Sequence, residues 1–335
     1  MKAIVYTEYG DPDVLKIKEI PMPSTEDDEV LIKIEAVSVN FGDLIARKFR
    51  HIPAKHFNMP FLIWILAKLS FGLKSPRITI LGNSFAGIIE QTGNNIKRFT
   101  VGDAVFGYTG EKMGAYSEYL CMSENGLLTT KPSNTSFEEA SAIPYGSLMA
   151  LCLLQKVNVK RGQKVLVIAA SGGIGSAAVQ LAKNQFGAKV TGVCSTERVD
   201  YLKELGVGKV IDYKKEDFSK SGETYDHIID ILGKGSVSTC KTLLNQRGTC
   251  LFVSFKARNL LQMLLTKISG QKKVICALAS PQTKDLQFIK ELVEDGKIKV
   301  IIDRVFKIDQ APEAHRHAES ADRKGDVVIR VAPLA

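Results

Sequence analysis

The run Val165-Leu-Val-Ile-Ala-Ala-Ser-Gly-Gly-Ile-Gly-Ser-Ala-Ala-Val-Gln-Leu-Ala-Lys183 constrains this chain more than any other segment. An apolar stretch of strand type, Val165–Ala170, ends in a glycine turn and passes straight into a helical pattern. Gly172 and Gly173 let the backbone turn sharply and come close to a phosphate, where a Cβ would collide. Gly175 and Ala178 let the helix lie against its own strand. The first free N–H groups of such a helix, with its dipole, form an anion site. Framed by strand and helix, Ser171-Gly172-Gly173-Ile174-Gly175 predicts the pyrophosphate seat of a dinucleotide.

The rhythm on either side of this turn sets the fold class. From Lys164 strand patterns alternate with helical ones as far as Cys276, with helices expected at 175–186, 199–205, 235–244 and 260–267. Such alternation predicts an α/β, Rossmann-type doubly wound parallel sheet with helices on both faces, over residues 125–282. Residues 1–124 are instead rich in alternating strands such as Val30-Leu-Ile-Lys-Ile-Glu-Ala-Val37. Ser136-Phe-Glu-Glu139 is a capping-box start for a helix, and a second helix is expected after Pro144. The tail, 283–335, is expected to return and complete the first unit.

The 335 residues leave room for two cores. The net charge of +9 comes from dispersed pairs such as Lys97-Arg98 and Lys160-Arg161, with no basic block or aromatic-basic stripe of a nucleic-acid groove. Six scattered cysteines without a CxxC pair read as reduced thiols, and the start, Met1-Lys-Ala-Ile-Val-Tyr, lacks a long apolar signal, so a cytoplasmic location is expected. Pro60-Phe-Leu-Ile-Trp-Ile-Leu-Ala-Lys-Leu-Ser-Phe-Gly-Leu73 stands apart as too short to span a bilayer. Its preferred reading is the wall of an apolar substrate pocket, over an interfacial helix on a membrane or an oligomer contact.

Several motifs together resemble the medium-chain dehydrogenase/reductase superfamily, and most closely its zinc-free branch of quinone oxidoreductases. They are Val39-Asn-Phe-Gly-Asp43, Ile80-Leu-Gly-Asn-Ser-Phe-Ala-Gly87, Gly102-Asp-Ala-Val-Phe-Gly107, Ala169-Ala-Ser-Gly-Gly-Ile-Gly175, Val193-Cys-Ser-Thr196 and Val210-Ile-Asp-Tyr213. The resemblance runs nearly end to end. It implies a GroES-like β-rich catalytic domain beside the Rossmann domain, a cofactor in the cleft between them, and a homodimer.

Zinc-dependent relatives carry a Cys-x-Ser/Thr-Asp element where this chain reads Asn40-Phe-Gly-Asp43, and Gly-His-Glu where it reads Gly82-Asn-Ser84. Their second ligand cysteine aligns with Tyr145. Asn40, Asn83 and Tyr145 do not supply the thiolate and imidazole set that catalytic zinc needs, so no metal is expected. Hydride transfer without a Lewis acid favours acceptors that delocalise charge themselves, such as quinones and α,β-unsaturated carbonyls.

By resemblance, Asn40 orients the carbonyl or the nicotinamide ribose; the alternative is a satisfied turn amide. Tyr145 is a candidate proton or hydrogen-bond donor to substrate, or else a packed aromatic after Pro144. The family's nearby tyrosine is Ile45 here, and its threonine near the nicotinamide is Met149.

About 20 residues beyond the glycines, where NAD-specific folds carry an acid, the chain has Cys194-Ser-Thr196 followed by Glu197 and Arg198. Hydroxyls and a guanidinium suit a 2′-phosphate, so Ser195, Thr196 and Arg198 point to NADPH. The resemblance adds Tyr213, Gly233, Val253 and Lys324 to the cofactor contacts. The expected function is a zinc-independent NADPH-dependent oxidoreductase acting on a quinone or enone, with a small apolar substrate. The alternatives are an NAD(P)-dependent alcohol dehydrogenase or carbonyl reductase, and a non-catalytic, membrane-associated NADPH binder.

Overall fold

A computed structural model describes residues 1–233, 235–269, 271–321 and 323–331. Residues 332–335, expected with the tail to join the first unit, lie outside the described residues.

The chain begins with an antiparallel ribbon of β1 (Lys2–Val5) and β2 (Lys16–Glu19). β3 (Glu29–Ser38) follows, and its Val30, Ile32, Ile34, Ala36 and Val37 are all buried. Two helices, α1 (Phe41–Arg47) and α2 (Phe61–Phe71), precede β4 (Ser84–Thr92), β5 (Ala104–Tyr108), β6 (Tyr119–Ser123) and β7 (Leu127–Thr130). β3 pairs with β4 and with β6, while β7 pairs with β5. That last pairing places Leu127–Thr130 in the β-rich sheet, so the break expected at residue 124 falls inside it.

The helix α3 (Phe137–Val157) opens with the expected capping box: Glu139 N–H donates to Ser136 Oγ, and Ser136 N–H donates to Glu139 Oε2. It then runs unbroken through Pro144, where two helices were expected. Proline removes one N–H and crowds the preceding turn. Here Ile143, Leu148 and Leu151 are buried in the main core on both sides of it, and that packing holds the helix continuous.

Beyond α3 come β8 (Lys164–Ile168), α4 (Gly173–Gln180), β9 (Lys189–Cys194), α5 (Val199–Glu204), β10 (Lys209–Asp212), β11 (Tyr225–Asp230), α6 (Val237–Leu243), β12 (Leu244–Phe252), α7 (Ala257–Ser269) and β13 (Lys273–Cys276). The six strands form one parallel sheet in the order β10-β9-β8-β11-β12-β13. Counted from β8, that order is 3-2-1-4-5-6, and it reverses between β8 and β11. α4 starts at Gly173, two residues earlier than its periodicity predicts, because the glycines already adopt helical geometry as they leave the turn.

The chain ends with α8 (Thr283–Glu294), β14 (Ile302–Lys307), α9 (Ala311–Glu319) and β15 (Asp326–Arg330). β14 pairs with β15, and β15 pairs antiparallel with β3, so the tail adds to the sheet that the amino-terminal strands built. The two β-units thus flank α3, and the carboxyl ends of β8, β9, β11 and β12 open towards the space between them.

Candidate active-site cleft

At the switch point β8 stops at Ile168, and Ala169 takes φ 65°, a left-handed conformation rare for a non-glycine residue. The turn explains its glycines differently. A Cβ on Gly175 would sit 2.2 Å from Ala169 O, so that position closes the helix onto its strand. At Gly172 the nearest atom to an added Cβ is Ala169 O at 3.7 Å, and at Gly173 it is Asp326 Oδ1 at 3.9 Å. Gly172 and Gly173 therefore present bare backbone to open space at the amino end of α4, which is what a phosphate needs.

This turn forms one wall of a cleft of about 570 Å³. Of the residues singled out by sequence, Ser171, Gly172, Gly173, Ile174, Gly175, Ser195, Arg198, Tyr213, Val253 and Tyr145 all line it. Three other expected cofactor contacts do not. Thr196 Oγ1 donates its only proton to Asp212 Oδ2 at 2.7 Å, so it has none for a phosphate. Gly233 has φ 65°, and a Cβ there would lie 2.6 Å from Ser254 O; it shapes the loop whose neighbour Leu232 faces the cleft. Lys324 is exposed, and the cation that reaches the cleft is Arg323, one residue earlier.

The end of the cleft lined by Glu197, Arg198, Lys214 and Arg323 is cationic. Glu197 does not oppose a phosphate, because Lys214 Nζ holds its Oε1 at 2.6 Å. The same hydrogen bond is the main reason its carboxyl falls to about 2. Arg198 and Arg323 make no ion pair among the described residues. Burial, and then the charge of Arg323, push the Arg198 guanidinium below its ordinary value. Two cations facing one cleft, neither in an ion pair among the described residues, suit a dianion.

At the other end, Tyr145 projects from α3 with its ring 6.3 Å from that of Tyr108. Its hydroxyl has no hydrogen-bond partner among the described residues. Burial, then Tyr108 and Asp43, raise it well above the usual phenol range, so it stays protonated and able to donate. Asn40 shares a narrow void with Tyr145, Gly146 and Gly173. Its Nδ2 already donates to Ser38 Oγ at 3.0 Å and to Asn83 Oδ1 at 2.9 Å. Asn40 is thus a satisfied amide with both protons committed, and the orienting-donor reading does not fit it.

Asp43 anchors the same corner: its carboxylate accepts from Asn40 N–H and from Gly82 N–H, each at 2.8 Å. Burial raises its carboxyl to about 7, against the lowering effect of those N–H groups. Met149 packs on the main core instead of facing the cleft. Among the described residues no cluster of three His, Cys, Asp or Glu side chains is placed to hold a metal ion.

His227, on β11, and His315, on the helix α9, are both buried. His315 sits between Arg47 Nη1 at 2.9 Å and the Tyr116 hydroxyl at 3.0 Å, locking α9 to α1. The expected pocket-wall role of Pro60–Leu73 is not met in this cleft, which no residue of that segment lines. Sequence reasoning missed Lys214, Glu319, Ser320 and Arg323 as cleft residues, since they come from a loop and a helix end outside the motifs; Phe41, at the start of α1, lies in a motif but was given no role.

A reversing parallel sheet with a glycine turn at its switch point, set against a β-rich unit that adds Phe41, Glu319 and Arg323 to the same cleft, defines a dinucleotide-dependent two-domain enzyme fold. Residues 26–133 match the family described as alcohol dehydrogenase GroES-like domain, and residues 205–329 match that described as zinc-binding dehydrogenase. The chain is 31% identical to 2-methylene-furan-3-one reductase of Solanum lycopersicum, over 99% of this chain and 80% of that protein. It is 31% identical to the chloroplastic quinone-oxidoreductase QR1 of Triphysaria versicolor, over 98% of each. The solved quinone oxidoreductase of Coxiella burnetii superposes with a TM-score of 0.83 at 29% identity, covering 99% of both chains. The chain belongs to the medium-chain dehydrogenase/reductase superfamily, in its quinone oxidoreductase-like branch.

Proposed function

We propose that this chain is a zinc-independent, NADPH-dependent reductase of quinones and α,β-unsaturated carbonyls. The observation that carries the reading is the unpartnered Tyr145 hydroxyl in the cleft, beside an Asn40–Asn83 hydrogen bond at the positions of two metal ligands in zinc-dependent relatives. The reduced nicotinamide, when bound, supplies the hydride. The backbone of Gly172 and Gly173 seats the pyrophosphate, and Arg198 with Arg323 takes the 2′-phosphate. Tyr213 and Ser195 border the adenosine, and Val253 with Leu232 walls the nicotinamide side.

Tyr145 donates its hydrogen bond to the substrate oxygen as negative charge gathers there. Amides already bonded to each other offer no thiolate or imidazole to a metal, so the acceptor must spread that charge through its own conjugation. This favours quinones and enones over simple aldehydes. The relatives named a furanone reductase and a quinone oxidoreductase fit the same acceptor class. All six cysteines are free, which suits the reducing cytosol to which we assign the chain.

Turnover of NADPH by the purified protein against a quinone, an enone and a saturated aldehyde tests the reading. Consumption with the first two and not the third supports it. Consumption with the aldehyde alone favours the carbonyl reductase, and none at all favours a cofactor-binding protein without catalysis.

A further inference from the structure

Nine of the 11 residues of α2 are apolar, yet only its inner face is covered. Trp64, Ala67 and Phe71 pack on the second core, while Phe61, Leu62, Leu66 and Leu69 are 62%, 66%, 57% and 46% exposed. α7 repeats the pattern on the Rossmann unit. Its Leu260 and Met263 face the core, and Leu261, Leu264 and Leu265 are 59%, 57% and 58% exposed. The two helices start close together: Lys256 Nζ, just before α7, is bonded to the Phe57 carbonyl, and Met59, just before α2, packs on the same core as Leu260 and Met263. Exposed leucines on two adjoining helices form an apolar surface of the kind that marks a docking site.

The charge around these helices selects the partner. No Asp or Glu occurs between Asp43 and Glu90, the segment that contains α2, and none occurs between Asp230 and Asp285, the segment that contains α7. Arg50, Lys55, Lys74 and Arg77 are exposed in the first, and Arg258, Lys267 and Lys273 in the second. Lys68 lies with its ammonium 4.6 Å from the Trp64 ring centroid, at the border of the apolar face. Apolar ridges carried on segments with cations and no acids match an anionic lipid surface. A second copy of the same face would set cation against cation. With 11 residues, α2 is about 16 Å long, and no described helix is long and apolar enough to cross a membrane.

We propose that α2 and α7 dock this protein on an anionic bilayer, the leucines entering the acyl boundary and the cations facing lipid phosphates. α7 begins three residues after Ser254, a cleft residue, so docking sets the cleft beside the lipid. This surface is independent of the reductase reading and is tested without it.

Co-sedimentation of the full chain with phosphatidylcholine vesicles, with and without phosphatidylglycerol, is the experiment. Pelleting about tenfold greater on the anionic vesicles at low salt, and reduced at high salt, is expected. Leu66→Glu combined with Leu264→Glu abolishes it, as does Lys74→Glu with Arg258→Glu, while both pairs keep the thermal stability of the parent. Equal pelleting on both vesicle types, or none on either, overturns the proposal. So does a lipid-free dimer in sedimentation velocity that the leucine pair dissolves, since a second copy would then cover the face, and so does an acidic protein captured at this face in place of lipid.

Discussion

Asn40 Nδ2 donates to Asn83 Oδ1 at 2.9 Å, joining the end of β3 to the start of β4 through two side-chain amides. Zinc-dependent relatives carry metal ligands at these two positions by sequence resemblance. A hydrogen bond here does structurally what a metal would do, tying together two loops of the β-rich unit, with Asp43 reinforcing the corner through Asn40 and Gly82. It supplies no Lewis acid, and on the proposed reading the chemistry passes to Tyr145 and to the acceptor's own conjugation.

On the proposed reading, Arg198 and Arg323 set the choice of cofactor. Arg198→Ala and Arg323→Ala should each raise the KM for NADPH about tenfold or more, from the loss of a charge-assisted contact, and leave the KM for NADH nearly unchanged. Steady-state kinetics with both cofactors measures the ratio. A parallel rise for both would place the arginines outside the 2′-phosphate site.

The glycines should separate by role. Gly172→Ala meets nothing nearer than Ala169 O at 3.7 Å, so the fold should keep its melting temperature while NADPH binding weakens by about tenfold or more. Gly175→Ala drives a Cβ to 2.2 Å from a backbone oxygen and should lower stability itself. Calorimetric titration and thermal melts of the two variants give both readouts.

Tyr145→Phe keeps the packing on Tyr108 and removes only the hydroxyl. Turnover with an enone should fall about 100-fold with little change in KM for NADPH, the scale of a lost acid or oxyanion donor. Unchanged turnover would leave Tyr145 as a packed aromatic.

Burial raises the Asp326 carboxyl to about 6, against the lowering effect of Arg323. The folded state therefore holds a proton that the unfolded chain has released between pH ~4 and ~6, and stability falls as pH rises through that window. Asp326→Asn removes the penalty. The variant should gain up to about 3 kcal/mol over the parent at pH 8, and roughly half of that gain should be gone at pH 5. Denaturant unfolding of both proteins at the two pH values measures the difference.

Much of this was legible in the sequence, for identifiable reasons. The glycine turn is local: strand, turn and helix lie within 19 consecutive residues, so its geometry is written in one place. The parallel sheet follows from alternation alone. Pro144 was misleading because helix breaking is a local tendency, and the burial that overrides it comes from strands distant in sequence. Thr196 failed because its partner Asp212 lies on the neighbouring strand, and Lys324 failed because a motif match does not tell which of two adjacent cations turns inward. His315 showed no sign of burial, since its partners Arg47 and Tyr116 are more than 190 residues away.

The central claim is that this chain reduces conjugated carbonyls by taking hydride directly from NADPH, without a metal. It is tested most directly by incubating chelator-dialysed protein with an enone and NADPH deuterated at C4, then locating the label by mass spectrometry. The account predicts deuterium on the β-carbon of the saturated product at an undiminished rate. A rate that collapses on dialysis and returns with zinc, or label on the carbinol carbon of an unsaturated alcohol, would contradict it.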